Sequence, residues 1–153
     1  MNFGPVAGVD VSKRFSDMCI ISPDNKIFAQ EKIYHDETSI NRANTLLQKA
    51  EQIFSSKPVI VMESTSHYHL ILFQLFSEHG YDVIVVNPLQ SSSMKDFSIR
   101  KRKTDRVDAF KFAMMYRTKT LRPSQVPQTA MCALRQFCRE RVEFLNDVSS
   151  YKN

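Results

Sequence analysis

The apolar residues near the N-terminus fall into short runs that predict three strands before any helix. Residues 5–11 (PVAGVDV) form an apolar run typical of a buried strand, and residues 17–21 and Ile27–Ile33 form two more. Pro23, Asp24 and Asn25 are turn-forming residues between the second and third runs. We therefore expect an antiparallel meander.

Helical and strand patterns alternate after the meander. The predicted elements are a helix at residues 39–54, a strand at 58–63 (PVIVME), a helix at 68–79 ended by Gly80, and a strand at 81–86. Thr38 or Ser39 is the expected cap of the first helix. Such an alternation implies parallel strands joined by right-handed crossovers.

The last third of the chain predicts a loop, two helices and a linker. Residues 91–103 are polar and basic and predict the loop, whereas residues 104–117 predict a helix. Its expected apolar face is Val107, Phe110, Ala113 and Met114. We interpret residues 1–122 as one domain and residues 123–153 as a proline-containing linker followed by the start of a coiled-coil helix that protrudes from the domain.

Composition excludes several classes of protein. The chain has 153 residues, of which 42% are hydrophobic and 24% charged, as in an ordinary globular domain. No apolar run approaches the roughly 18 residues that a membrane helix needs, and no secretory signal is visible. The three cysteines are an odd number without C-x-x-C spacing, which disfavours a disulfide framework or a zinc finger. We expect a cytoplasmic protein that does not associate with membranes.

The positive charge of the chain is concentrated in one segment. The net charge is +5, but residues 95–122 contain ten basic and three acidic residues, which gives +7 there and −2 elsewhere. A basic segment on a nearly neutral body indicates a polyanionic partner, nucleic acid above all. The alternative interpretation is a solvated charged loop.

Four carboxylates stand out by position. Asp10 interrupts an apolar strand, Glu63 ends another, and Asp105 and Asp108 share one helix face. Three of them have a structural explanation when taken alone: a hydrogen-bonded or strand-end acid for Asp10 and Glu63, and a helix cap for Asp105. A cap explains Asp108 less well.

Taken together, the four acids predict a metal site. The first strand and the strand after the first helix are expected to be neighbours, about 5 Å apart, and a later helix across the sheet would add the other two acids. Converging carboxylates are stable around Mg²⁺ or Mn²⁺, which prefer oxygen ligands. Such ions support phosphodiester chemistry, for which the basic segment would hold the phosphate backbone.

Four motifs then resemble a known family. They are GVDVSK (8–13), MESTSHY (62–68), VVNP (85–88) and KTDRVDA (103–109), of which the last is the most specific. They resemble the DEDD transposases of bacterial insertion sequences in the IS110 group, which includes RNA-guided bridge recombinases and is related to the Piv DNA invertases. Ser66 departs from the family pattern, in which glycine is expected at that turn.

The resemblance implies an α/β fold of RNase H-like, RuvC-like type: a mixed five-stranded sheet with helices on both faces, plus the protruding C-terminal helix. It also implies that Asp10, Glu63, Asp105 and Asp108 are the catalytic, metal-binding quartet with Mg²⁺ or Mn²⁺ as cofactor. In the family, a coiled coil and a C-terminal domain with a serine nucleophile follow, so we expect this chain to be a fragment without that serine.

The expected function is that of the N-terminal catalytic domain of a DNA transposase or recombinase, which cleaves and transfers strands during transposition. The expected partners are DNA, a guide (bridge) RNA and a second copy of the chain bound through the C-terminal helix, with a nucleoid-associated location. The residues expected to contact nucleic acid are Lys13, Arg100, Lys101, Arg102, Lys103 and Arg106.

Three other functions stay open at this point. A stand-alone RuvC-like, metal-dependent nuclease of the Holliday-junction resolvase type would use water as its nucleophile. An actin-like or sugar-kinase ATPase would need glycine-rich phosphate loops, and this chain has only three glycines. A non-catalytic nucleic-acid-binding module would need no metal.

Overall fold

The computed structural model describes residues 4–64, 68–87 and 105–118, without the side chains of Asp105 and Arg106. The elements are β1 (Val6–Val11), β2 (Ser16–Ile21), β3 (Ile27–Ile33), α1 (Glu37–Phe54), β4 (Val59–Glu63), α2 (Tyr68–Glu78), β5 (Val83–Val86) and α3 (Asp105–Arg117). The predicted loop at 91–103 and the predicted linker and helix at 123–153 lie outside the described residues.

The strands form one five-stranded sheet in the order β3-β2-β1-β4-β5. The first three strands pair antiparallel through short turns, whereas β1 pairs parallel with β4, and β4 with β5. Parallel neighbours need long crossover connections, and α1 and α2 supply them. This strand order is that of the RNase H-like fold, so the predicted mixed sheet is confirmed.

One face of the sheet packs against α1 and α2. Ala43, Leu47 and Ala50 of α1 are fully buried against it, together with Leu72 and Phe76 of α2. These positions recur at helical spacing, so one apolar stripe of each helix faces the sheet. Gly80 ends α2 as predicted: its φ of 75° is left-handed, and its N–H donates to the Ser77 carbonyl oxygen at 2.9 Å.

The other face packs against α3, so helices cover both faces as predicted. Ala109, Phe112 and Ala113 are the buried residues at this contact. The predicted apolar face of α3 was partly wrong, because Val107 is 38% exposed. The small Ala109 and Ala113 allow the helix backbone to approach Gly8 of β1 closely, and this approach sets the rotation of the helix.

The cap of α1 also differs from the prediction. Asp36, rather than Thr38 or Ser39, is the N-cap: its Oδ1 accepts a hydrogen bond from the Ser39 N–H at 2.7 Å. Ser39 is buried within the first turn, where its hydroxyl oxygen accepts a hydrogen bond from the Tyr34 N–H at 3.0 Å. Within the described part of the chain, no helix has the length and apolarity needed to cross a membrane.

Candidate metal site at the carboxyl edge of the sheet

Asp10 and Glu63 occupy neighbouring positions on adjacent parallel strands. The last paired residues of β1 and β4 are Val9 and Met62, and Asp10 and Glu63 come next in their strands. Side chains alternate between the two faces of a sheet, so both acids lie on the α3 face, as Gly8 does two residues before Asp10. Glu63 is 9% exposed and Asp10 is half-buried.

The direction of α3 brings its N-terminal turn to the same edge. At its C-terminal end, the Arg117 guanidinium donates to the carbonyl oxygens of Gly4 at 2.6 Å and Ser22 at 3.0 Å, where β1 begins and β2 has ended. Nearer the N-terminal end of the helix, Ala109 lies over Gly8 of β1. The helix therefore runs antiparallel to β1, and its N-terminus lies where β1 and β4 end.

The rise per residue in helix and strand places the first turn of α3 at the same position along β1 as Asp10. Asp105 precedes Ala109 by about one turn, roughly 6 Å along the helix axis. Asp10 follows Gly8 by roughly 7 Å along the strand. The backbone of Asp105 is thus at the height of Asp10, although its carboxylate lies outside the described part of the structure.

The carboxylate of Asp108 is mostly buried and forms an ion pair with Lys111. Its side chain is 13% exposed, and its Oδ1 accepts from Lys111 Nζ at 2.8 Å. The Lys111 side chain is 35% exposed, so the pair lies at the rim of the helix–sheet contact. The lysine balances the charge of Asp108.

A further acid, Asp17, lies directly across from Asp10. The two residues are paired in the antiparallel β1–β2 ladder, so their side chains share the α3 face. Asp17 is only 2% exposed, and Lys32, its partner on β3, approaches its Oδ2 to 3.4 Å. The acids Glu63, Asp10 and Asp17, here called the acidic row, therefore lie side by side on three adjacent strands. Lys32 follows on the fourth strand.

These acids match Mg²⁺ or Mn²⁺ in donor chemistry, since all the proposed ligands are carboxylate oxygens. Among the residues that the structure describes, no group of three or more His, Cys, Asp or Glu side chains is arranged to hold an ion. Those residues include Asp10, Glu63 and Asp108 but not the carboxylate of Asp105. The match between these acids and Mg²⁺ or Mn²⁺ therefore depends on their carboxylate oxygens and on their common position at one edge of the sheet.

The turn between β1 and β2 presents basic residues at this same edge. Lys13 and Arg14 are exposed there, and the turn is closed by the Ser12 N–H, which donates to the Phe15 carbonyl oxygen at 3.2 Å. The other residues expected to contact nucleic acid lie outside the description, either entirely (100–103) or in their side chain (Arg106).

The family is settled by comparison with known sequences. The family model for the DEDD transposases of the IS110 group, described as "Transposase", matches residues 7–153. The chain belongs to this family. The resemblance of the four motifs is thereby confirmed over nearly the whole length of this transposase chain. The comparison with curated proteins found no significant match.

The transposase chain is similar to two solved structures at low sequence identity. One is T. thermophilus RuvC in complex with a Holliday junction substrate, with 16% identity and a TM-score of 0.49, covering 80% of this chain and 100% of that chain. The other is a ROK family transcriptional regulator, a homolog of the E. coli MLC protein, with 12% identity and a TM-score of 0.39, covering 62% of this chain and 31% of that chain.

Sequence reasoning missed Asp17 in this transposase. Asp17, Cys19 and Ile21 alternate along β2 and face α3 together, which the period of a strand already indicated. The burial of Asp17 was not visible in that pattern, because it depends on Lys32 from a third strand.

Proposed function

We propose that this chain is the N-terminal catalytic domain of a DNA transposase, which cleaves and transfers DNA strands with the help of Mg²⁺ or Mn²⁺. Family membership supports the transposase assignment. The observation that carries the catalytic assignment is the position of Asp10, Glu63 and the N-terminal turn of α3 at one edge of the sheet and on one face. Three segments distant in the sequence are thereby gathered at a single place.

The ion would be held by Asp10, Glu63, Asp105 and Asp108, and when bound it supplies positive charge beside the scissile phosphate and the attacking or leaving oxygen. Asp10 and Glu63 contribute oxygens from neighbouring strands, whose hydrogen bonding fixes their spacing. Asp108 contributes from a helix that packs tightly on the sheet. The burial of Glu63 limits the access of water and strengthens its electrostatic interactions.

The nucleophile, the guide RNA and the nucleic-acid contacts complete the proposed transposase. A serine nucleophile would come from a C-terminal domain beyond Asn153, and a guide RNA would select the DNA target. The domain at 1–122 would carry the metal site, and residues 123–153 would join two copies of the chain. Lys13, Arg100, Lys101, Arg102, Lys103 and Arg106 would hold the nucleic-acid backbone through their positive charges.

Metal binding gives the direct test. Mn²⁺ should raise the melting temperature of the wild-type chain, because a ligand that binds the folded state stabilises it. The isosteric variants Asp10→Asn and Glu63→Gln should lose most of this shift. Asp24→Asn is the matched control, since Asp24 lies in the β2–β3 turn at the opposite end of the sheet. Equal shifts in all four proteins would refute the metal site.

Strand cleavage distinguishes a transposase domain from a stand-alone nuclease. The 153-residue chain with Mn²⁺ should leave linear DNA and four-way junctions uncut, because the proposed nucleophile is supplied by another domain. Cleavage that Asp10→Asn abolishes would instead identify a nuclease that activates water.

A further inference from the structure

The acidic row brings two like charges face to face inside the sheet. Asp10 and Asp17 are directly opposed in the antiparallel ladder, where Cβ atoms lie about 5 Å apart. Carboxylates opposed in this way repel each other and destabilise the pairing. Asp17 is 2% exposed, so water screens its charge poorly. Its presence beside Asp10 therefore has an energetic cost that some other group offsets.

Lys32 offsets part of this charge from the far side. It pairs with Asp17 across the β2–β3 ladder, with its Nζ 3.4 Å from Oδ2 of Asp17. The same Nζ lies 3.5 Å from the centre of the Phe15 ring, an attractive contact that holds the ammonium in place. Asp17 lies on the strand next to that of Asp10, whereas Lys32 lies one strand further away. Asp10 is therefore closer to the negative charge of the Asp17–Lys32 pair than to its positive charge.

We propose that Asp17 is a positioning residue that increases the affinity of the adjacent carboxylates for a divalent cation, and that Lys32 limits this effect. The inference rests on the proposed function, because it assumes that Asp10 and Glu63 bind the ion. Asp17 acts through its charge and without coordinating the ion. The affinity of a carboxylate site for such a cation rises with the negative charge around it.

A purely structural role for Asp17 leads to a different expectation. If the Asp17–Lys32 pair only joins β2 to β3, its loss lowers the stability of the fold and leaves the Mn²⁺ affinity of the folded protein unchanged. If the pair sets the charge at the site, removing the acid and removing the base change that affinity in opposite directions.

Mn²⁺ titration of the purified chain at constant ionic strength tests this difference. Asp17→Asn should weaken Mn²⁺ binding about three- to tenfold, because one negative charge next to the site is lost. Lys32→Gln should strengthen binding about twofold, since glutamine still donates a hydrogen bond to Asp17 but carries no charge. The double variant should fall between the two. Calorimetry gives the affinities, and circular dichroism confirms that each variant is folded.

The chain offers a matched control in the ion pair of Lys26 and Asp24. These side chains are 3.0 Å apart and mostly exposed, at the end of the sheet away from the acidic row. Asp24→Asn and Lys26→Gln change the net charge in the same way and should leave Mn²⁺ affinity at the wild-type value, because water screens charges at that distance.

Each outcome decides one of the two proposals. Affinity changes of the same sign in Asp17→Asn and Lys32→Gln, or no change in either, would overturn the role of Asp17. If Asp17→Asn does not fold, Lys32→Gln alone decides, and unchanged or weakened binding refutes the proposal. Loss of Mn²⁺ binding in Asp10→Asn with unchanged binding in Asp17→Asn would reject only this inference. Unchanged binding in Asp10→Asn would reject the proposed function itself.

Discussion

Gly8 of β1 lies directly beneath the carbonyl oxygen of Ala109 in α3. A Cβ atom at position 8 would overlap that oxygen and would come within 2.8 Å of the Ala113 backbone nitrogen. The missing side chain therefore allows the helix to lie close to the sheet. This contact places the turn that contains Asp108 beside the strand that carries Asp10.

Gly8→Ala should therefore destabilise the fold strongly. The added methyl meets helix backbone, which cannot rotate away, so we expect a loss of about 3 kcal/mol in the free energy of unfolding. Urea denaturation measures it. Gly4→Ala is the control: its methyl would meet the hydroxyl of Ser56, a small side chain that can change rotamer. Equal losses in the two variants would contradict this explanation of Gly8.

Lys111→Met should make the chain more responsive to Mn²⁺. Asp108 is 13% exposed and loses its cation in this variant, which we expect to cost about 1 kcal/mol or less because Lys111 is partly exposed. A bound Mn²⁺ would restore the lost positive charge. Thermal melts should therefore show a larger Mn²⁺-induced stabilisation in Lys111→Met than in the wild type. An unchanged shift would indicate that Asp108 does not face the ion.

The stability of the fold should fall at mildly acidic pH through His35. The ring of His35 shares a hydrogen bond of 2.9 Å between its Nε2 and the Ser16 hydroxyl and stacks on Tyr68. Burial lowers the pKa of His35 below its ordinary value of 6.5. The unfolded chain therefore binds the proton more readily, so the stabilisation is complete above pH 6.5 and is lost as the pH falls through the lowered pKa.

His35→Asn isolates this contribution. Asparagine tolerates the left-handed φ of 61° at position 35 but has no titratable ring. Urea midpoints at pH 7.5 and pH 5.5 should differ more in the wild type than in His35→Asn. The same pH dependence in both proteins would assign the effect to other groups.

Nucleic-acid binding should weaken steeply as salt rises. Lysine and arginine contacts to phosphates release counterions, so the logarithm of the affinity should fall linearly with the logarithm of the salt concentration. Fluorescence anisotropy with labelled DNA and RNA gives the slope. Lys13→Gln should reduce its magnitude by about 1.

Lys57→Gln is the control for Lys13, because Lys57 lies two residues before β4, at the opposite end of the sheet. A salt-independent affinity, or an equal change in both variants, would remove the Lys13 turn from the interface.

The start of α1 provides a direct comparison of sequence and structure. Asp36→Ala should destabilise the helix, since the carboxylate that accepts the Ser39 N–H is lost. Thr38→Ala should change stability less. Thermal melts of the two variants decide between the observed cap and the one expected from the sequence, and a larger effect of Thr38→Ala would contradict the observed geometry.

The sequence by itself determined most of the elements and the family. The strands at β1, β3 and β4 and the helix ended by Gly80 followed from apolar runs, turn residues and a left-handed C-cap, all of which are local properties. The motifs around Asp10, Glu63 and Asp108 pointed to the family that the comparison confirmed. Local signals are readable because a strand or a helix turn depends on residues that are near each other in the chain.

Only the tertiary structure decided the rotation of α3 and the environment of Asp17. Phe110 and Met114 are as apolar as Phe112 and Met115, so hydrophobicity alone could not select the buried face; the close approach of Ala109 to Gly8 selected it. The burial of Asp17 depends on the register of three strands and on a lysine from the third. Such contacts join distant parts of the chain, so they exist only once the sheet has assembled.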